Sequence, residues 1–204
     1  MLESNDKEKV SKYIDKVIEN IYADVKRNMD SSMSNRQIID SAVELTVNKI
    51  TPESKMVLSS TYNMLMGKTL TDVVFQNPQN KAMFYSADIM KELNAHFSFD
   101  IPEHIDYEKS FKLINKWTEA GAVVVAGGVV SVCMKNVIPV IVSVVIAGLI
   151  LYLLRDQPVT ESNQDINTII KEYLKNVKNS MMSWVDEISA YYDKRVEEIK
   201  KEIG

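Results

Sequence analysis

Between Lys7 and Met29 the apolar residues Val10, Tyr13, Ile14, Val17, Ile18, Ile21, Tyr22 and Val25 recur at helical spacing, with acids and lysines on the other face. This is the pattern of an amphipathic helix. "SNRQIIDSAVELTVNKI" predicts a second helix, with Ser34 as N-cap and Ile38, Ile39, Ala42, Val43 and Val47 inward. "TPESK" reads as a new start, with Thr51 as N-cap and Pro52 at the first helical position. That third helix carries Met56, Leu58, Tyr62, Leu65 and Met66 and is expected to stop at Gly67. "TLTDVVFQ" predicts a short helix or turn, and Asn77 with Pro78 opens a helix through about His96. "FSFDIPEH" breaks the chain, and another helix is expected from about Glu103 through Trp117. After "RDQPVTESNQD", a long amphipathic segment runs from about Asn163 to Ile203. Its apolar spacing follows Ile166, Ile170, Tyr173, Val177, Trp184, Ile188 and Tyr191, then shifts near "NSMMS" to Met181, Val185, Tyr192, Val196 and Ile199. One long helix, broken or bent near Ser180, is the economical reading.

One segment is unlike the rest. From Ala120 to Leu154 the chain reads "AGAVVVAGGVVSVCMKNVIPVIVSVVIAGLILYLL", with Lys135 its single charge. Its arms, on either side of Lys135 and Asn136, hold about 15 and 18 residues, or roughly 22 and 27 Å as helices. A hydrocarbon core is about 30 Å thick, so each arm is slightly short for a span. Pro139 and the total length exclude one continuous spanning helix, and a helical hairpin turning at Lys135–Asn136 fits. The valines also permit strand, but a lone β-hairpin of this kind would leave exposed apolar edges. The fold expected is all-α: a bundle of about eight to ten helices around an apolar helical hairpin, with a long C-terminal amphipathic helix. The chain reads as one helical domain over 1–204, with amphipathic helices in 1–118, the hairpin in 120–154 and the last helix in 160–204.

A helix that is apolar all round is buried on every side, in lipid or in protein. Three readings follow: a permanent two-helix membrane anchor, a bundle whose core hairpin never leaves the protein, or a conditional inserter. In the third, the hairpin hides inside a jacket of amphipathic helices in water and enters a bilayer on contact. The residues expected to enter are Ala122, Val125, Val129, Val132, Val137, Pro139, Val142, Val145, Ile146, Leu149, Leu151 and Leu154. Lys135 and Asn136 would form the turn, and Trp117, Arg155 and Asp156 would lie at the interface.

Composition narrows the classes. The chain has 204 residues, 24 Lys and Arg against 28 Asp and Glu, and a formal net charge of −4. Mild acidity without a basic cluster argues against a nucleic-acid surface. Cys133 is the single cysteine, which excludes an internal disulfide and is expected to be a small core hydrophobe. The N-terminus lacks a basic region followed by an apolar run, so any export is expected to use a route other than a signal peptide. His96 and His104, the only histidines, are expected to be solvated groups, with an acid-sensing role as the alternative. Met56, Met64 and Met66 are expected to fill core rather than line a ligand groove. Trp184, Tyr191 and Tyr192 read either as an interfacial belt or as the core face of the last helix. No Ser/His/Asp set, phosphate loop or paired carboxylates appear, so no enzyme and no cofactor are expected.

"FKLINKWTEAGAVVVAGGVVSVCMKNVIPVIVSVVIAGLILYLLRDQ" resembles the hydrophobic-hairpin region of colicin pore-forming domains. Trp117, Gly121, Pro139, Gly148 and Asp156 follow that pattern in order. The sequence departs from it in carrying Lys135 at the turn and about fifty residues after the hairpin. The resemblance implies an all-α bundle with the hairpin at its centre and a bacterial pore-forming toxin that dissipates ion gradients across its target membrane. It also implies a lipid membrane as partner, an immunity or delivery protein, and a chain that is soluble before insertion and membrane-associated when active. The competing expectation is a constitutively anchored helical scaffold whose C-terminal helix associates with itself or with a partner.

Overall fold

Four stretches of helical apolar spacing become three long helices. In the computed structural model residues 2–97 and 163–203 are described. Helix α1 spans Ser4–Asn28, α2 spans Asn35–Thr69, a 3-10 turn covers Val73–Gln76, α3 spans Pro78–Ser86, α4 spans Ile89–His96 and α5 spans Asn163–Ile203. The described residues are all-α with no strand, and the long C-terminal helix is present as expected. Five α-helices and one 3-10 turn occupy them, fewer than the eight to ten expected of the whole chain. The expected helix from Glu103 and the apolar hairpin lie outside the described residues.

Within the described residues, two interruptions expected from the sequence are absent. The expected boundary at Thr51–Pro52 does not exist, because α2 runs through Pro52. An interior proline costs about 3 kcal/mol relative to alanine. Here Pro52 is exposed, on the side where water can meet the carbonyl it leaves unpaired. Ile50, Val57 and Leu58 are buried on either side of it, and each fully buried side chain contributes roughly 1.5–3 kcal/mol, so burial holds the helix across the proline. The helix also passes Gly67 and ends at Thr69, whose hydroxyl donates to Leu65 O at 3.0 Å. The second is in α5, which is a single helix with no break at Ser180.

The spacing of buried residues explains why α5 needs no break. Ile166, Val177, Ile188 and Ile199 recur every eleven residues, and so do Ile170, Met181 and Tyr192. In α2 the series Ile39, Ile50 and Thr61 repeats the same interval, as do Val10 and Ile21 in α1. Eleven residues over three turns is about 3.67 per turn, close to the natural 3.6 of a helix. One face therefore stays inward over the whole length, and the shift near Ser180 is part of that repeat.

In the opposite direction, the helix expected from Asn77 to His96 is two. Asn77 caps α3 by accepting from Gln79 N at 2.9 Å, with Pro78 following as expected. Asp88 then takes a left-handed conformation with φ 44°, which aspartate tolerates better than most residues, and starts α4. The N-terminus of α2 is closed by a capping box. Gln37 N donates to Ser34 Oγ at 3.3 Å, and Ser34 N donates to Gln37 Oε1 at 2.8 Å.

The described residues divide into two units. The first draws on residues 2–17, 51–97 and 181–203. In it α1 runs antiparallel to both other long helices. Leu2 N donates to Ser189 Oγ and Lys7 pairs with Asp186, while Glu3 pairs with Lys68 and Tyr13 bonds Glu53. Val10, Ile14, Val57, Leu65, Val185, Ile188 and Tyr192 are buried here. Phe75 and Phe84 stack at 5.3 Å between centroids, fixing the 3-10 turn on α3. The second unit draws on residues 18–50 and 163–180. Ile21, Val25, Ile39, Val43, Ile166 and Ile170 are buried in it. Lys49 pairs with Asp24, and Lys171 Nζ stands 5.5 Å from the centre of the Tyr22 ring.

Candidate functional site

The hairpin residues expected to carry function, from Ala122 to Leu154 with the turn Lys135–Asn136, lie outside the described residues. So do the expected interfacial residues Trp117, Arg155 and Asp156, as well as Cys133 and His104. What is described is a helical body made of residues 2–97 and 163–203. Among the described residues no helix is long and apolar enough to cross a membrane. No group of three or more His, Cys, Asp and Glu among them is placed to hold a metal.

The last described element before residue 98 is α4. This helix has eight residues, too few to be stable alone, and buries only Ile89 and Leu93. Asp88 caps it, and its outer side is held by α5. Arg195 donates from Nε to Glu92 Oε2 at 2.7 Å and from Nη2 to Oε1 at 2.9 Å, a bidentate pair. Tyr191 donates its hydroxyl to Glu92 Oε2 at 3.0 Å. Arg195 is braced by Glu198, one turn on. The Arg195 hydrogen bonds first, then that of Tyr191, hold the Glu92 carboxyl below its ordinary range despite partial burial. Burial and the Glu92 hydrogen bond push the Tyr191 phenol up.

Aromatic rings close the same spot. His96 and Phe97 pack on the Tyr191 ring with centroids 5.8 and 5.4 Å away. His96 is exposed, in keeping with a solvated group at a helix end. Of the three aromatics read either as belt or as core, Trp184 and Tyr192 are buried to 2% and 1% exposure and belong to the core face. Tyr192 donates its hydroxyl to Thr69 Oγ1 at 3.0 Å, and burial pushes its phenol up to about 12.

Two inward assignments are corrected. Met56, expected to fill core, is 59% exposed, and Tyr13 is 40% exposed. The helical turn that buries Val57 and Leu58 leaves Met56 outside, one position off the stripe. Together with Lys9, Val10, Val57, Ser60 and Met64 they line a shallow groove of about 190 Å³ between α1 and α2. Tyr13 is held there by its bond to Glu53, which raises its phenol.

The side-chain cluster that sequence reasoning missed is Glu92 with Tyr191 and Arg195. Tyr191, Arg195 and Glu198 at i, i+4 and i+7 share a face of α5 and could have been read as a polar row. Their partner Glu92 is distant in sequence, and nothing local points to it. Comparison with known proteins gives no context: no family model, no curated protein and no solved structure matches the chain.

Proposed function

We propose that the chain is a membrane-inserting helical protein that permeabilises its target membrane in the manner of colicin pore-forming domains. In full, the reading is a bundle of eight to ten helices that carries the 120–154 hairpin. The observation behind it is the sequence of that segment, with one charge in 35 residues, in a chain whose other helices are amphipathic. Burial of one Val, Leu or Ile contributes roughly 1.5–3 kcal/mol. The arms hold far more such residues than are needed to offset Lys135, which costs about 2.5–3.5 kcal/mol at a helix centre. At the turn, Lys135 reaches headgroups and avoids most of that cost. The amphipathic helices then lie at the interface or line a polar path.

A second reading, the permanently anchored scaffold, has its own support. The buried residues of α1, α2 and α5 fall on single stripes, as helices that pack on one another require. Storing two more helices in water calls for a second apolar face. In this reading α5 is the element that associates with a partner or with a second copy.

Expression without detergent followed by fractionation separates the two. The inserter is recovered monodisperse from the aqueous fraction and then releases dye from anionic vesicles. The anchor is recovered with membranes. A chain that stays aqueous and releases no dye at any pH between 7.5 and about 4, where carboxylates begin to protonate, is neither.

A further inference from the structure

α1 and α5 meet water through charged side chains, and one stretch of α2 does not. From Met56 to Gly67 it reads "MVLSSTYNMLMG", with no charge in the run. Met56, Ser60, Asn63 and Gly67 are nonetheless exposed. The outer face of a helix in water ordinarily carries charge. This stretch forms one side of the groove between α1 and α2. Val10 and Val57 are buried there, while Met56 and Tyr13 stand 59% and 40% exposed.

Size and charge say what fits. The groove holds about 190 Å³. Small-molecule pockets begin at roughly 300 Å³, so this one has room for a single large side chain. Met56 is itself a large side chain standing out at the groove, so knob and hole share one patch. A patch of that kind can be self-complementary about a two-fold axis. The rim carries both signs of charge. Lys9 and Lys16 are exposed on α1, one turn before and one turn after Tyr13, and Lys9 is paired with Asp6. Glu53 of α2 accepts from the Tyr13 hydroxyl. An anionic bilayer or a nucleic acid calls for one sign. A second copy turned about an axis along the groove lays its α1 over α2 of the first, which brings Lys16 to Glu53.

We propose that the α1–α2 groove is a two-fold contact between two copies of the chain. Met56 of each copy enters the groove of the other beside Val10 and Tyr13, and Lys16 of each meets Glu53 of the other. The contact lies away from α5 and is independent of the membrane-inserting reading. Two helix widths over Glu53–Gly67 offer roughly 400 Å² per copy. That is below the standard of about 800 Å² per partner, so the dimer is of the weak, reversible class.

Sedimentation equilibrium of the full chain from about 1 to 100 μM tests it, in buffer or, for a chain recovered with membranes, in mild detergent. The parent is expected to dimerise within that range. Met56→Lys should weaken the dimer roughly tenfold or more. Lys16→Glu should weaken it about threefold, and the exchanged pair Lys16→Glu/Glu53→Lys should return it toward the parent. Met56 and Lys16 are exposed, so neither change should alter helical content. In a Cys133→Ser background, Met56→Cys should join two copies through a short bifunctional thiol reagent, and Lys175→Cys on α5 should not. A monomer throughout the range overturns the contact. So does a dimer that Met56→Lys leaves intact, or one that cross-links no better through Met56→Cys than through Lys175→Cys. A Met56→Cys thiol that never cross-links but is shielded by phospholipid vesicles overturns it in favour of a lipid contact.

Discussion

Gly67 stands within α2 with no atom within 4 Å of where a Cβ would lie. Gly67→Ala should therefore stabilise the protein by about 0.5–1 kcal/mol, read as a higher midpoint in urea. Thr61 is the opposite case. It is fully buried, and its hydroxyl has no hydrogen-bond partner among the described residues. Thr61→Val keeps the shape and removes the desolvated hydroxyl, so it should stabilise by about 1 kcal/mol in the same measurement. Glu92 sets a pH limit on α4. Its folded pKa lies below the ordinary 4.5, chiefly through the Arg195 hydrogen bonds. The stabilisation is complete above the unfolded value and is lost as pH falls through the lower, folded one. Exchange protection of α4, corrected for the intrinsic rate, should hold from pH 7 to about 5 and fall away below about 4. Loss of protection at pH 6 would assign the opening to another group.

At the scale of the element, α5 and α2 show how a repeat of eleven outweighs local stop signals. A proline at Pro52 and a change of spacing at Ser180 both read as boundaries, yet buried residues continue in register past each. Inserting one alanine between Ser180 and Met181 tests this. One residue turns everything after it by about 100°, which takes Trp184, Ile188 and Tyr192 off the inner face. A continuous helix cannot absorb that, and the variant should lose cooperative thermal unfolding. A helix hinged at Ser180 would take up the extra residue and melt close to the parent.

For the whole molecule, the question is where the apolar segment resides in water. Val145→Asp addresses it from within the second arm. An acid at the centre of a span is strongly unfavourable, so dye release from vesicles should be lost. The same carboxylate, buried unpaired inside a water-soluble bundle, should also lower the thermal midpoint. Loss of release together with a lowered midpoint is the expected result for the conditional inserter. A parental midpoint would place the segment outside the packed core. It would favour the anchored scaffold, whose core is the eleven-residue stripes alone.

Much of the fold follows from the sequence by itself. Amphipathic spacing marks α1 and the extent of α5, Ser34 announces the N-cap of α2, and Asn77–Pro78 announces α3. These are local signals, in which burial and capping act within a few residues of each other. The segment 120–154 is likewise legible in sequence alone, since length and apolarity are properties of the string. Tertiary structure decided the rest. Thr51–Pro52 becomes the interior of a helix because side chains distant in sequence bury both sides of it. Met56 faces out and Val57 in because the partner helices choose which edge of a broad apolar stripe is covered. Glu92 finds Arg195 across 103 residues, and no spacing rule reaches that far. Spacing constrains what one helix can bury, and only the neighbouring helices determine what it does bury.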